Sequence, residues 1–494
     1  MNLTEAEKKR AIAMWGLALC LTAAAAGWMF MRFGMAWSVA DLPESPIINY
    51  IVPAYVVAEV AVIPLGGKLV DIYGTRRILA IAPIIYIASA MIAVLSVNVE
   101  MLIAFRFIQG IGAGLVLSLA YTAIGKYYAI DKRGKVSELM TAAFAIGSLF
   151  GSATGYFLTE NFNWRLGFMA FALMMAVGFV LAWKFLPESG GTGQRTDYVS
   201  LILATAVFGV TTLYTQMVNV DFDLISVPSI AIAVLIIIGV VALILHARRS
   251  SDPAIPVRTS PFEKKILILM FVFSLCGLGL IQYFFKLYLT YYDFDIYDAS
   301  FMFMYLILGA AGPSIIGSRK VFVTGIRPWL LVGTVLVTIS LIASHFLAST
   351  GVVYFALSLF LFGAGLGCIV TEILCSLQTL VDKKDMGQHT GNLMAVRMIG
   401  ILVGNAIVGA YIGEIVRSNY VPTIIDLNIT TDLVKQLVTN LVKDVQYAAD
   451  ALNTGLMSTL LIMAVITALL SIVAYKIGKE DLDYISASMD QNEE

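Results

Sequence analysis

Charge is what this sequence has least of. Only 13% of its 494 residues are Asp, Glu, Lys or Arg, whereas 59% are hydrophobic, and the mean hydropathy is +0.87. Water-soluble domains carry about a quarter charged residues, and the core of a soluble chain this long could not hide such an apolar excess. A soluble fold is excluded, and the excess must face lipid. The charges that remain almost cancel, to a net −1, so nothing points to nucleic acid or another polyanionic partner. Histidine and cysteine are equally sparse. His246, His345 and His389 are scattered, and Cys20, Cys276, Cys368 and Cys375 all fall inside apolar runs, without metal-ligand spacing. A metal site is not expected. There is no Walker A pattern to bind ATP, and no nucleophile–base constellation to support an enzyme.

What the chain has instead is a succession of long apolar runs. About 20 residues of helix cross the hydrocarbon core, and fourteen runs qualify: 11–38, 47–66, 77–96, 100–124, 136–158, 165–186, 198–217, 227–246, 264–290, 299–318, 328–347, 352–378, 390–413 and 454–476. The first follows Lys8, Lys9 and Arg10 and stays apolar to about residue 40, which marks a first transmembrane helix rather than a cleaved leader. Basic residues set the orientation. With the amino terminus inside, 24 of the 32 Lys and Arg fall in cytoplasmic segments and four in external ones, while Arg32, Arg106, Lys286 and Arg397 lie within spans. A miscounted helix would scramble that asymmetry downstream, so an even number of crossings follows, with both termini cytoplasmic.

Two segments break the rhythm. Residues 187–197 form a Gly-rich turn and 247–263 a basic, Pro-containing linker, and the spans between them (198–246) hold no ionisable residue in their apolar interiors. The expected organisation is a cytoplasmic segment 1–10, a six-helix bundle 11–186, a linker with a transmembrane hairpin 187–263, a second six-helix bundle 264–476 and a cytoplasmic tail 477–494. Within the polar external segment 416–453, Leu433, Leu437, Leu441 and Val445 recur at helical spacing and predict a short amphipathic helix on the outer surface.

The run Gly67-Lys68-Leu69-Val70-Asp71-Ile72-Tyr73-Gly74-Thr75-Arg76-Arg77 follows the second span. A tight turn with stop-transfer charges accounts for its glycines and arginines, but not for an acid at this spacing. It resembles the cytoplasmic loop signature of the major facilitator superfamily, Gly-x-Leu-x-Asp-x-x-Gly-x-Arg-Arg, at every anchor position. The fourth span opens with Arg106-Phe107-Ile108-Gln109-Gly110, similar to that superfamily's Arg-x-x-Gln-Gly motif. In the fifth, Gly147, Gly151 and Gly155 resemble its antiporter motif, with Ser152 and Tyr156 where the family has Pro and Gly; spaced glycines also serve close helix packing. The spacing of Gly363, Gly365, Gly367, Gln378, Gly387, Gly391, Arg397, Gly400, Gly404 and Gly409, with Trp164-Arg165, Asp197-Tyr198 and Pro256, resembles the fourteen-helix drug:proton antiporters. The resemblance spans about residues 11 to 476. It implies an all-α integral membrane protein of the major facilitator fold, two six-helix bundles plus an inserted two-helix hairpin. It also implies that Gly67, Asp71, Gly74, Arg76 and Arg77 brace the cytoplasmic gate against the other half. One departure stands out: Gly34 occupies the place of that family's first-helix Asp, with Arg32 two residues earlier, so a buried base replaces a buried acid.

Coupled transport needs an embedded group whose charge state changes as the site alternates between sides, and carboxyls in a low dielectric suit proton exchange. Glu59 and Glu372 are the embedded acids, with Asp41 near the external end of the first span. Glu59 stands about 12 Å from the motif loop at 1.5 Å per residue. Arg32, Lys286 and Arg397 are candidates for substrate contact or charge balance, and Gln282 and Tyr283 join Lys286 in an aromatic-polar lining. Lys286 at an external aromatic belt, Arg106 snorkelling to the interface, and Glu59 or Glu372 in structural ion pairs are the plain alternatives. The expected function is proton-coupled efflux of small amphipathic or lipophilic compounds from a single chain in the cell membrane, driven by the proton gradient without a cofactor. The rival is carriage of a defined organic anion or zwitterion in either direction; a non-transporting membrane sensor has no signalling domain to support it.

Overall fold

A chain that crosses lipid must satisfy each backbone N–H and C=O within its own segment, and consecutive apolar runs of this length do so as helices. The computed structural model describes residues 4–38, 42–188, 190–193, 197–218, 226–250, 252–253, 255, 259–277, 296–347, 351–419 and 433–475. Among these residues there are fourteen α-helices: α1 (Glu5–Ser38), α2 (Ile51–Tyr73), α3 (Thr75–Val94), α4 (Val99–Tyr127), α5 (Ile130–Asn161), α6 (Trp164–Phe185), α7 (Tyr198–Met217), α8 (Val227–Arg249), α9 (Pro261–Cys276), α10 (Ile296–Thr324), α11 (Arg327–Leu347), α12 (Val352–Thr379), α13 (Met386–Asn419) and α14 (Leu433–Tyr475). Twelve of the fourteen are long and apolar enough, within the described residues, to cross a membrane; α9 and α10 are the other two. Several start where a polar side chain accepts an otherwise unpaired N–H: Asn98 from Met101, Asn163 from Arg165, Asp197 from Ser200 and Ser260 from Glu263.

Helices α1–α6 pack into one bundle, chiefly through α1 with α5 and α6, α2 with α4, and α3 with α4 and α6. Helices α9–α14 form the second, through α10 with α12, α11 with α12 and α14, and α13 with α9 and α14. The bundles meet where α2 and α4 pack on α13 and where α5 packs on α10 and α12. The inserted hairpin pairs α7 with α8, and α7 in turn lies against both α2 and α13. Outermost is α8, which exposes Ile230, Val234, Leu235, Ile237, Ile238 and Val241 as a lipid-facing stripe. At the hairpin's base, His246 Nε2 and Asp197 Oδ2 lie 2.6 Å apart.

Two expectations are corrected. The Gly67–Arg77 run is not a loop: α2 stays helical through Tyr73, and the chain reverses at Gly74 alone, whose φ of 85° suits glycine. Nothing in Lys68–Tyr73 breaks a helix, so the motif rides on a rigid helix end. Likewise, the predicted amphipathic helix over 433–445 is not separate. It is continuous with the last span as the 43-residue α14, because the intervening Tyr447–Leu452 stretch is rich in helix-forming Ala and Leu.

Candidate functional site

Two buried charge centres and one seam between the bundles hold most of the motif residues. In the first bundle, Arg106 on α4 is wholly withdrawn from solvent. Its guanidinium lies over the Tyr55 ring at 4.2 Å from the centroid and within 5.7 Å of that of Phe168. It donates to the Gly27 carbonyl at 3.1 Å and to Gln109 Oε1 at 2.9 Å. The Nε and Nη2 groups of Arg106 meet no acceptor among the described residues. Glu59, also buried, is its opposite charge on α2, one turn beyond Tyr55. Tyr55 and Tyr86 are locked in turn by donating to the Ala24 and Ala23 carbonyls of α1. Arg106 therefore does not snorkel: stacking and carbonyl contacts hold it inside. Gly110 and Gly114 let α4 approach the Tyr55 and Glu59 backbone so closely that a Cβ on either glycine would strike a carbonyl oxygen.

The second centre is Glu372 on α12. It is fully buried, and both of its carboxyl oxygens lack a hydrogen-bond partner among the described residues. One of them nestles against Gly317 of α10, where a Cβ would meet Glu372 Oε1 before the Trp329 ring of α11. Thr371 beside it donates to Ser314 Oγ at 3.3 Å, and Ser314 donates to the Gly367 carbonyl at 3.2 Å, fastening α10 to α12. Glu138 of α5, across the bundle boundary, acts on it electrostatically as a like charge.

The seam lies at the end that carries the basic loops. There Asp71, at the end of α2, accepts from the backbone N–H of Gly387 at 2.9 Å and of Gln388 at 2.7 Å, the first turn of α13. A carboxylate from one bundle thus caps a helix N-terminus of the other, where unpaired N–H groups and the helix dipole favour an anion. Lys126 of α4 pairs with Asp71 at 2.8 Å. Gly67 and Gly387 meet backbone to backbone, and a Cβ on either would hit the other's carbonyl. Arg133 of α5 donates to the Gln378 carbonyl of α12, and Gln378 Nε2 donates to the Tyr121 carbonyl of α4 at 3.1 Å.

Residues 17–405 match the sequence family described as Major Facilitator Superfamily. The chain belongs to that superfamily. Among the relatives of this superfamily member is the Multidrug transporter protein MdtP of Bacillus subtilis, 23% identical over 82% of this chain and 75% of the relative. Another, the Putative multidrug resistance protein MdtD of Pectobacterium carotovorum, is 28% identical over 75% and 81%. Of solved structures, the human organic anion transporter MFSD10 (TETRAN) superposes with a TM-score of 0.65 at 13% identity, covering 96% of this chain and all of that one. The proton:xylose symporter XylE gives 0.60 at 12%, over 94% and 95%. These likenesses bear out the major facilitator fold.

Within the superfamily fold the remaining motif residues fall as follows. Gly147, Gly151 and Gly155 of α5 face Thr22, Ala26 and Phe30 of α1, and a Cβ at each would meet α1 backbone. They are a packing seam within one bundle. Arg76 stacks over Trp183 at 4.9 Å, and Arg77 is exposed. Arg397 on α13 is half-buried, with its Nε lacking an acceptor among the described residues. The expected burial of Arg32 is corrected: it lies within α1, which runs on to Ser38, and its side chain is exposed rather than buried. Asp41, Gln282, Tyr283 and Lys286 lie outside the described residues. Sequence reasoning missed Tyr55, Tyr86, Lys126, Gln388 and Gly317, whose partners come from elsewhere in the fold; only the aromatic spacing of Tyr55 before Glu59 hinted at a stacked charge.

Proposed function

We propose that this superfamily transporter exports small amphipathic or lipophilic compounds in exchange for protons, by alternating access. It acts as a single chain in the cell membrane with both termini cytoplasmic, so the seam of Asp71 closes the cytoplasmic side. The observation that carries the reading is Glu372. A carboxylate buried without a hydrogen bond or cation costs several kcal/mol as an anion and far less as the neutral acid. Glu372 therefore binds a proton in the conformation closed at the seam and sheds it when opening lets water or a cationic group reach it. Arg106 and Glu59 supply a second, internally balanced charge centre that responds to the same motion. The names of the relatives, both multidrug proteins, support the substrate class.

The test is substrate-driven proton flux in proteoliposomes. Glu372→Gln should lower coupled flux by at least about tenfold, equivalent to ~1.4 kcal/mol, while substrate exchange in the absence of a proton gradient persists. Glu59→Gln should reduce both. Coupled flux at the wild-type level in both variants removes the proton-site assignment, and strict competition by one organic anion alone replaces the multidrug reading.

A further inference from the structure

The α7–α8 hairpin belongs to neither six-helix bundle but lies against α2 and α13, and its two flanking linkers are attached to the seam. Before α7, Thr192 N donates to the Asp71 carbonyl at 2.9 Å and Gly193 N to the Ile72 carbonyl at 3.2 Å. These carbonyls belong to the last turn of α2, where no helical N–H remains for them. Gly191 lies so close that a Cβ would strike the Ile72 carbonyl, and Tyr127 Oη anchors the start of the same linker by donating to Pro187 O at 2.9 Å. After α8, the linker takes hold through side chains. Lys68 of α2 is buried, and an ammonium there needs acceptors. It has two, Asp252 Oδ1 of the linker at 2.5 Å and Gln388 Oε1 of α13 at 3.1 Å. Gln388 Nε2 donates in turn to the Pro253 carbonyl of the linker at 2.6 Å.

Gln388 is thus gripped from three sides, by Asp71 through its backbone and by Lys68 and Pro253 through its amide. The first linker is fastened to the α2 wall, the second bridges the α2 and α13 walls, and α7 between them packs along both. Separation of α2 from α13 cannot leave all these bonds intact: the α8–α9 linker must let go of either Lys68 or Gln388. We propose that the inserted hairpin is a latch, anchored on α2 by its first linker, whose second linker clamps α2 to α13 and whose release at Asp252 and Pro253 is a step in opening this end of the transporter. The inference rests on the reading of the α2–α13 seam as a gate.

Amide hydrogen exchange of the full-length protein in lipid nanodiscs tests it without any substrate. The Gly387 and Gln388 N–H groups are held by Asp71, so their exchange reports opening of the seam. Asp252→Ala should speed exchange at these two amides by at least about tenfold, the lower end of the ratio expected for losing one hydrogen bond to a charged group. Exchange around Gly151 of α5 should not change. Gln388→Ala should open the seam to the same degree, and the double variant should add little, because both remove one clamp. Wild-type exchange in Asp252→Ala, beside acceleration in Asp71→Asn, overturns the latch and leaves the gate. No acceleration in either variant overturns both. If Asp252→Ala accelerates exchange everywhere, α5 included, it has lost its fold, and the isosteric Asp252→Asn decides by the same threshold.

Discussion

Arg106 and Glu372 are both withdrawn from solvent, but the protein treats them in opposite ways. Arg106 is surrounded by an aromatic face, a carbonyl, an amide oxygen and the opposite charge of Glu59. Glu372 has a glycine hollow, an indole and, across the bundle boundary, the like charge of Glu138. The first arrangement holds a permanent charge in place; the second suits a group that is neutral in one state and needs a different environment in the other. Gly317 is what makes room for it. Gly317→Ala should push the Glu372 carboxyl from its hollow and cut coupled flux severalfold, while the thermal midpoint of the purified protein falls only modestly, since one methyl in a packed interior costs about 1–3 kcal/mol. Equal flux in Gly317→Ala and wild type would mean that the hollow does not position the acid. Glu372 itself was legible in the sequence, as an ionisable residue in an apolar run. Gly317 and Trp329 were not, because contacts between α10, α11 and α12 leave no trace in local spacing. Arg32 shows the converse error: its place in the chain resembled a buried site, yet it is exposed, because an apolar run gives a residue's position along a helix and not the face it takes.

Glycine rows knit the helices of each bundle. Gly147, Gly151 and Gly155 lay α5 along Thr22, Ala26 and Phe30 of α1; Gly110 and Gly114 seat α4 on Tyr55 and Glu59 of α2; Gly363 and Gly367 seat α12 on Leu306 and Ala310 of α10. The last two rows repeat one spacing in both halves, fourth helix on second and twelfth on tenth. Without a hydrophobic drive between helices in lipid, such close backbone approach is what fastens them. Gly151→Leu should therefore lower the thermal midpoint clearly and reduce folded yield, with Gly151→Ala intermediate. A leucine variant as stable as wild type would show that α1 and α5 can part without cost. The number of helices and the hairpin were plain from hydropathy and from basic loops, because the bilayer imposes one length and one charge asymmetry on every crossing. Helix ends were less so. α2 runs through the motif and α14 through its polar segment because a helix stops at a breaker or a cap, not where hydropathy falls.

At the scale of the molecule, the hydrogen bonds between the halves gather at the end of the basic loops, around Asp71, Arg133, Gln378 and Gln388. The spacing of Gly67–Arg77 pointed to Asp71, but its partners, two backbone N–H groups more than 300 residues away, had no side-chain signature to read. A carboxylate on a helix N-terminus contributes about 0.3–2 kcal/mol, and removing its charge would also strand the buried Lys126 ammonium without its partner. Asp71→Asn keeps the shape and one acceptor oxygen but loses the charge that both N–H groups and Lys126 attract. It should shift the balance toward the state open at this end by about tenfold, the population change that ~1.4 kcal/mol produces. Spin labels at the exposed positions Arg77 and Lys383, on the two sides of the seam, report it: the distance distribution should gain a longer component in Asp71→Asn, and Lys126→Met should move it the same way by less. Lys126 also donates to the Val70 carbonyl within its own bundle at 3.3 Å; it reaches the other half through Asp71, so adding Lys126→Met to Asp71→Asn should change nothing further. A further lengthening in the double variant would mean that Lys126 braces the seam by a route of its own, and that the carboxylate is one of several independent ties rather than the point at which they meet.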